Sequence, residues 1–144
     1  PLRNLASVVS AQQNEGLQLH LAKDRFRAAK ALFVGKKYEA AASALQEFVN
    51  DFPYAIQVLE SYFLMAESHF QLQRLDDCLL TVEKMINLFP ESELTGFAML
   101  RMGKIFEVKD RPEEAVEIYK TVLRSFPYRG VASQASLSIQ TVDL

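Results

Sequence analysis

AASALQEFVNDFP (residues 41–53) recurs as CLLTVEKMINLFP (78–90) and as AVEIYKTVLRSFP (115–127), each copy 37 residues after the last. Within each copy the apolar residues return three and four positions apart, which is the stripe of an amphipathic helix and not the alternation of a strand. Each copy closes with Phe-Pro, and proline cannot continue a helix. A constant step between about 20 and 50 residues is typical of stacked repeats. The sequence therefore predicts a scaffold built from copies of one unit.

A second helical stretch precedes each copy. In the middle copy Tyr62, Met65, Ala66 and His69 follow the spacing i, i+3, i+4, i+7, which places them on one face of a helix. Pro112 stands where the first turn of a helix accepts proline, because the N–H group would be unpaired there. We therefore predict three helix pairs, which span residues 22–35 with 38–52, 55–72 with 75–89, and 94–109 with 112–126.

The composition is that of an ordinary globular domain. Its length of 144 residues suits one domain, with enough chain for a continuous core. The net charge of −2 gives no basic field that would attract nucleic acid. No apolar run approaches the length of about 18 residues that a membrane-spanning helix needs. A single cysteine excludes an internal disulfide and a thiolate metal site, and it leaves the redox compartment open.

This pattern resembles the tetratricopeptide repeat, a helix–turn–helix unit. The resemblance covers about residues 22–140 and rests on three features: a small residue before a bulky one in the first helix (Ala66 before His69 in the middle copy), a small residue in the second helix, and the closing proline. Two features depart from the family pattern. The step is 37 residues where about 34 is usual, and Tyr62 stands where the first helix usually carries tryptophan.

The resemblance implies an all-α fold, a right-handed α-solenoid of three helix hairpins with an N-terminal helix and a C-terminal capping helix. Each unit cannot bury its stripe alone, so neighbouring units must share a core. Gly16 stands where a closing proline would fall, which indicates a degenerate helix before the first full repeat. We predict an N-terminal helix in residues 1–21 and a repeat domain in 22–144, with repeats at about 22–53, 59–90 and 96–127 and a cap at 131–142.

The 37-residue step with Phe-Pro closures resembles that of bacterial envelope proteins of the same repeat family. Examples are the periplasmic partner of the Tol–Pal system and the lipoprotein of the β-barrel assembly machinery. This resemblance implies a periplasmic or envelope-associated protein, with a cytoplasmic location as the alternative. Because the chain begins at Pro1, we expect a processed form or a piece of a longer protein.

The chain carries no motif of enzyme chemistry such as a Gly-rich phosphate loop, HExxH or CxxC. His69 takes the place of a packing residue, so we favour a core role over a ligand role. Asp76 and Asp77 lie at a helix start, where carboxylates favour the positive end of the helix dipole. Cys78 replaces Ala41 in the stripe, which indicates a buried thiol. The sequence therefore predicts no catalytic residue, no cofactor and no metal.

In tetratricopeptide-repeat proteins the first helices line the concave face, where peptides usually bind. The resemblance therefore implies a partner-binding face that carries a row of large apolar residues with charged neighbours. The candidates are Lys23, Phe26, Lys30 and Phe33 in the first copy, Glu60, Phe63, Glu67 and Phe70 in the second, and Phe97, Leu100, Lys104 and Glu107 in the third. The alternative is that these side chains pack beneath the N-terminal segment or the C-terminal cap.

One binding mode of the family is not expected here. Co-chaperones that grip acidic C-termini use a clamp of lysine and asparagine on the first helices, and the matching positions hold Phe26 and Leu64. Arg101 falls on one further position of that clamp. The charges along the face are mixed, so they do not predict the polarity of a ligand.

Three functions remain open at the level of sequence. The leading hypothesis is a non-enzymatic scaffold or adaptor that binds a peptide or protein partner in its concave groove, without binding nucleic acid and without inserting into a membrane. The second is a self-assembly module that forms homo-oligomers. The third is the regulatory domain of a larger protein.

Overall fold

The computed structural model describes residues 2–142, which form seven helices and, in that range, no strand. They are α1 (Leu2–Val34), α2 (Tyr38–Asp51), α3 (Val58–Gln71), α4 (Leu75–Leu88), α5 (Glu93–Val108), α6 (Pro112–Ser125) and α7 (Arg129–Thr141). The predicted all-α stack of helix hairpins is confirmed. Apart from the start of α1, the largest difference from a predicted helix end is at α3, which begins at residue 58 instead of 55.

Helix α1 joins two predicted elements, the N-terminal helix (1–21) and the first repeat helix (22–35), without a break at Gly16. Glycine costs about 1 kcal/mol in a helix interior but does not end a helix by itself. No atom lies within 4 Å of the place where a Cβ on Gly16 would stand, so no neighbour imposes a turn. The side chains of residues 4–21 are all exposed, and the buried stripe begins at Ala22. The proposed domain boundary stays a prediction.

The helices form two layers of different character. Helices α1, α3, α5 and α7 contact one another in sequence and form the first layer. Helices α2, α4 and α6, within residues 2–142, contact first-layer helices and not one another. When the helices of one layer touch and those of the other layer are apart, the stack is curved. The first helices of the hairpins then lie on the inner, concave side. The handedness of the curvature stays a prediction.

The turn inside each hairpin has the same backbone conformation. Lys36, Gln73 and Asp110 lie 37 residues apart and have φ values of 60°, 60° and 58°, in the left-handed region that closes many helices. In each turn the next N–H group donates to the carbonyl five residues earlier, as Arg74 does to His69 at 2.9 Å. This double-turn closure satisfies carbonyls at the helix end, and it sets the same register in all three hairpins.

The closing phenylalanines, which the repeat pattern places in the core, are buried to different degrees. Phe126 is 2% exposed, whereas Phe52 and Phe89 are half-buried. Phe126 is better covered because α7 follows it: the Phe126 ring and the Val131 side chain both lie against the backbone of Gly96. The third hairpin therefore has the most complete core around its closing residue.

Helix α7 covers the last hairpin, as the predicted cap requires. Val131, Ala135 and Ser138 are buried at spacings of four and three, which is one face of the helix. This face packs against α5 and α6. The C-terminal end of the stack is therefore closed by a lone helix.

Candidate functional site

Five of the candidate residues come together in one open pocket between α3, α5 and α7. The pocket has a volume of about 320 Å³. Its lining consists of Phe63, Glu67, Phe97, Leu100, Arg101, Lys104, Gln134 and Ser138. Three successive first-layer helices contribute to this pocket, which we call the first-helix groove.

Phe63, Phe97 and Leu100 form the apolar wall of the groove. Each of the three is half-buried and packs against the core cluster of the stack. Side chains at helical spacing on the inner face lie at the border between core and groove, so one edge contacts the core and the other lines the groove. Each of these three side chains can therefore pack against the core and also contact a partner, so the two roles considered from the sequence do not exclude each other.

Two groove residues on α7 were not among the candidates. Gln134 and Ser138 line the groove, although the sequence predicts a cap alone for α7. They lie 37 residues after Phe97 and Arg101, which are both groove residues. Extending the repeat step by one more copy would have found them.

Arg101 links two walls of the groove. Its Nε donates to Oε1 of Glu67 at 2.8 Å, and its Nη2 donates to Oε2 at 3.0 Å. The same guanidinium lies over the ring of Phe70, 4.4 Å from the centroid. The hydrogen bonds to Glu67 raise the pKa of Arg101. Paired in this way, Arg101 holds α5 to α3 and is not free to grip a ligand carboxylate.

Lys104 and Glu107 form a second charged pair at the groove. Their Nζ and Oε2 atoms are 3.3 Å apart. Glu107 also accepts a hydrogen bond from the hydroxyl of Tyr119 on α6, whose ring is fully buried. Burial, and then the bond to Glu107, raise the pKa of Tyr119. A Cβ on Gly103 would overlap the Tyr119 ring, so glycine at this position lets the ring pass beneath α5.

The remaining candidates lie outside the groove. Lys23 is exposed, and Lys30 pairs with Glu60 across α1 and α3, with Nζ 3.0 Å from Oε1. Phe26 is buried against Phe48, with ring centroids 5.6 Å apart. Phe33 packs edge-on against Tyr38 at 5.7 Å. The aromatic row of the first copy therefore lies at the hairpin contact between α1 and α2, and Phe26 belongs to the core.

The residues that the sequence assigns to packing or to a helix start differ in their surroundings. Cys78 is fully buried, and burial raises the pKa of its thiol to about 12. Asp76, at the start of α4, accepts a hydrogen bond from Lys109 at 3.1 Å. His69 is half-buried with its Nδ1 buried and without a hydrogen-bond partner in the described structure. Among residues 2–142, no three His, Cys, Asp or Glu side chains are grouped as metal ligands would be.

These features define a helical repeat scaffold with a groove on its first layer. A family model described as tetratricopeptide repeat matches residues 25–53 and 97–127. The two matches fall on the α1–α2 and α5–α6 hairpins, and they support a tetratricopeptide-repeat protein. The α3–α4 hairpin lies between them and repeats the same turn at the same step. No curated protein matches the chain at a significant level.

The match to the tetratricopeptide-repeat model indicates a class of function. Tetratricopeptide repeats generally mediate protein–protein interaction and form a non-catalytic interaction fold, which supports a protein-binding scaffold. In the part of the chain that the structure describes, no helix combines the length and the apolar character needed to cross a membrane.

Proposed function

We propose that the chain is a non-enzymatic scaffold that binds an extended or helical segment of a protein partner in the first-helix groove. The observation that carries this proposal is the joint lining of one pocket by α3, α5 and α7. An apolar wall with a charged and amide-bearing rim is the arrangement of a protein interface, in which a dry centre is surrounded by polar groups.

The groove chemistry favours a partner segment with an apolar anchor. Phe63, Phe97 and Leu100 offer a surface for one large side chain, and Gln134 offers an amide that can bond to a peptide backbone. The groove charges are already paired within the protein, Glu67 with Arg101 and Lys104 with Glu107. The affinity should therefore depend mainly on apolar contact and change little between about 0.1 M and 1 M salt, a range over which exposed charges are increasingly screened.

Peptides selected from a phage-displayed library on the immobilised chain provide the test. We expect Leu100→Ala to weaken the selected peptides by about 10-fold or more, because central apolar anchors carry most of the binding energy. Leu80→Ala is the matched control, since Leu80 is an exposed leucine on α4 of the second layer. The expected result is no change in affinity for this variant. Weakening by Leu80→Ala with no effect of Leu100→Ala would place binding on the second layer and overturn the proposal.

We further propose that the scaffold acts in a complex of a bacterial cell envelope, in the periplasm. The 37-residue step and the three Phe-Pro closures support this context. Fractionation of the protein at its natural expression level tests it. Recovery with the periplasmic or envelope fraction is the expected result, and recovery with the cytosol alone would refute this location while leaving the groove proposal intact.

A further inference from the structure

The N-terminal half of α1 presents apolar residues to solvent over a long section of helix. Every side chain from residue 4 to residue 21 is exposed. The exposed fractions are 61% for Leu5, 52% for Val8 and 67% for Leu19. Apolar surface exposed in this contiguous way marks an interaction site more often than it marks a free surface.

This section is also nearly free of charge. Residues 2–21 carry one arginine and one glutamate, so their net charge is zero with histidine neutral. A helix that stays in water alone is usually supported by charged pairs along its faces. With zero net charge, two copies of this section can approach side by side without repelling each other.

Leu5, Val8 and Leu19 lie on one face with Gln12 and Gly16 between them, whereas the exposed Leu17 and Leu21 lie on the other side of the helix. Leu5, Val8, Gln12, Gly16 and Leu19 follow one another at steps of three, four, four and three residues, which keeps them on one face of a helix. The order of steps reads the same in both directions about Gln12. An antiparallel second copy therefore sets Leu5 opposite Leu19 and Val8 opposite Gly16. At Gly16 no atom lies within 4 Å of the position of a Cβ, so the opposing valine has room.

A cavity lies at the Leu19 end of this face. It has a volume of about 770 Å³ and lies between α1 and the loop that follows α2. Its lining includes Leu19 and Ala22 of α1 together with Phe52, Pro53 and Tyr54. In an antiparallel pair, Leu5 of the other copy is level with Leu19 and lies beside this cavity.

The loop beside the cavity is itself uncovered. Tyr54 is 99% exposed, and it corresponds by two repeat steps to Tyr128. The hydroxyl of Tyr128 donates to the carbonyl of Glu91, in the turn of the preceding repeat, at 3.2 Å. Tyr54 instead lines the cavity beside α1 and keeps an almost fully exposed side chain. This end of the stack therefore presents an uncovered aromatic surface.

We propose that two copies of this chain pair through the N-terminal halves of their α1 helices, antiparallel about Gln12. The interface is isologous, with the same residues on both sides. The twenty residues of this section span about 30 Å, and one helix-to-helix contact of this length is a small interface. The pairing is therefore a monomer–dimer equilibrium that depends on protein concentration. It leaves the first-helix groove free and does not rest on its function.

Cysteine cross-linking of the full chain tests the geometry. Cys78 is the chain's single cysteine and is fully buried, so an added surface thiol is the reactive one. Gln12→Cys should form a disulfide-linked dimer under mild oxidation, because the two residues oppose each other at the centre. Leu5→Cys and Leu19→Cys should each stay monomeric alone, since the two like thiols are roughly 21 Å apart along the axis, beyond the reach of a disulfide. A mixture of the two variants should form the mixed disulfide.

Two cross-linking results would overturn the proposal. Cross-linking of Leu5→Cys with itself would show a parallel pair, and the absence of any disulfide in Gln12→Cys would show no pair. Sedimentation across a concentration range provides the second arm. Wild type should self-associate, and Val8→Asp should weaken this association by about 10-fold or more, because its charge would be buried without a partner. Leu80→Asp, on the exposed face of α4, should leave it unchanged; an equal loss in Leu80→Asp would place the contact elsewhere.

Discussion

The two ends of the stack each carry a helix section outside the hairpins, and the two sections differ in burial. At the C-terminal end, α7 buries Val131, Ala135 and Ser138 against the last hairpin. At the N-terminal end, residues 4–21 of α1 bury no side chain. Both sections are helical, so the helical pattern alone does not decide whether a face is covered. The presence of a neighbouring helix decides it.

Helix lengths explain this difference. Helix α1 has 33 residues and its hairpin partner α2 has 14, so they are about 50 Å and 21 Å long. Much of α1 therefore extends beyond the end of α2. Helix α7 has 13 residues, a length close to that of α6, and lies alongside it. The cap is stabilised by packing, whereas the first half of α1 depends on local helix propensity until something covers it.

The largest contrast should come from placing the same charge in each section. Val131→Asp puts a carboxylate at a position with no exposed surface and should lower the free energy of unfolding by about 3–5 kcal/mol, the cost of an unpaired buried charge. Val8→Asp changes an exposed position and should stay within about 0.5 kcal/mol of wild type. Urea denaturation at a protein concentration low enough to keep the chain monomeric measures both.

Either variant could contradict the contrast between the buried face of α7 and the exposed section of α1. Equal destabilisation by both variants would mean that the first half of α1 is packed in the monomer. A neutral Val131→Asp would mean that α7 is not part of the cooperative core. Circular dichroism confirms that each variant remains helical before denaturant is added.

A pair of glycines should give effects of opposite sign. Gly103→Ala forces a methyl group into the buried ring of Tyr119, which cannot move away easily because its hydroxyl is bonded to Glu107. Overpacking of this kind should cost about 1–3 kcal/mol. Gly16→Ala meets no neighbouring atom and should favour the helix by about 0.5–1 kcal/mol. Denaturation measures the first, and the helical signal in circular dichroism measures the second.

Alanine in place of Gly103 leaves the backbone conformation allowed, so a loss of stability would report packing alone. If both alanine variants raised stability, the close approach of α5 and α6 would be wrong. If Gly16→Ala lowered the helical signal, α1 would not be continuous through residue 16.

The fold was predictable because its signal repeats. Three copies of one stripe, each closed by Phe-Pro, determine the hairpins and the stack. The continuity of α1 was not predictable, because Gly16 stands where a copy would close and glycine is compatible with both a turn and a helix. The greater burial of Phe126 does not follow from the repeat either, since it depends on α7 lying over Gly96.

The groove was predictable in part. The repeat step correctly placed Phe63 and Leu100 in equivalent positions, and both line the pocket with Phe97. Phe26 occupies the same slot in the first copy but is buried against Phe48. Its slot differs because the large Phe48 ring stands against it, and Lys30 lies over the Phe26 ring, 5.9 Å from the centroid. The pairing of Arg101 with Glu67 depends on the distance between α3 and α5, which sequence spacing does not give.

The smallest effect concerns a half-buried histidine and depends on pH. His69 is half-buried in the middle hairpin, and burial lowers its pKa below 6.5, with Arg74 adding to this effect and Asp77 opposing it. Below pH 6.5 the unfolded chain therefore takes up a proton that the folded chain resists, so the free energy of unfolding falls as the pH is lowered from about 7.5 to 5.5.

His69→Leu, which introduces the residue found at position 32 of the first copy, should remove this part of the pH dependence. Urea denaturation of wild type and His69→Leu at both pH values measures the difference. A slope unchanged in His69→Leu would show that the imidazole is as free to take a proton in the folded chain as in the unfolded one.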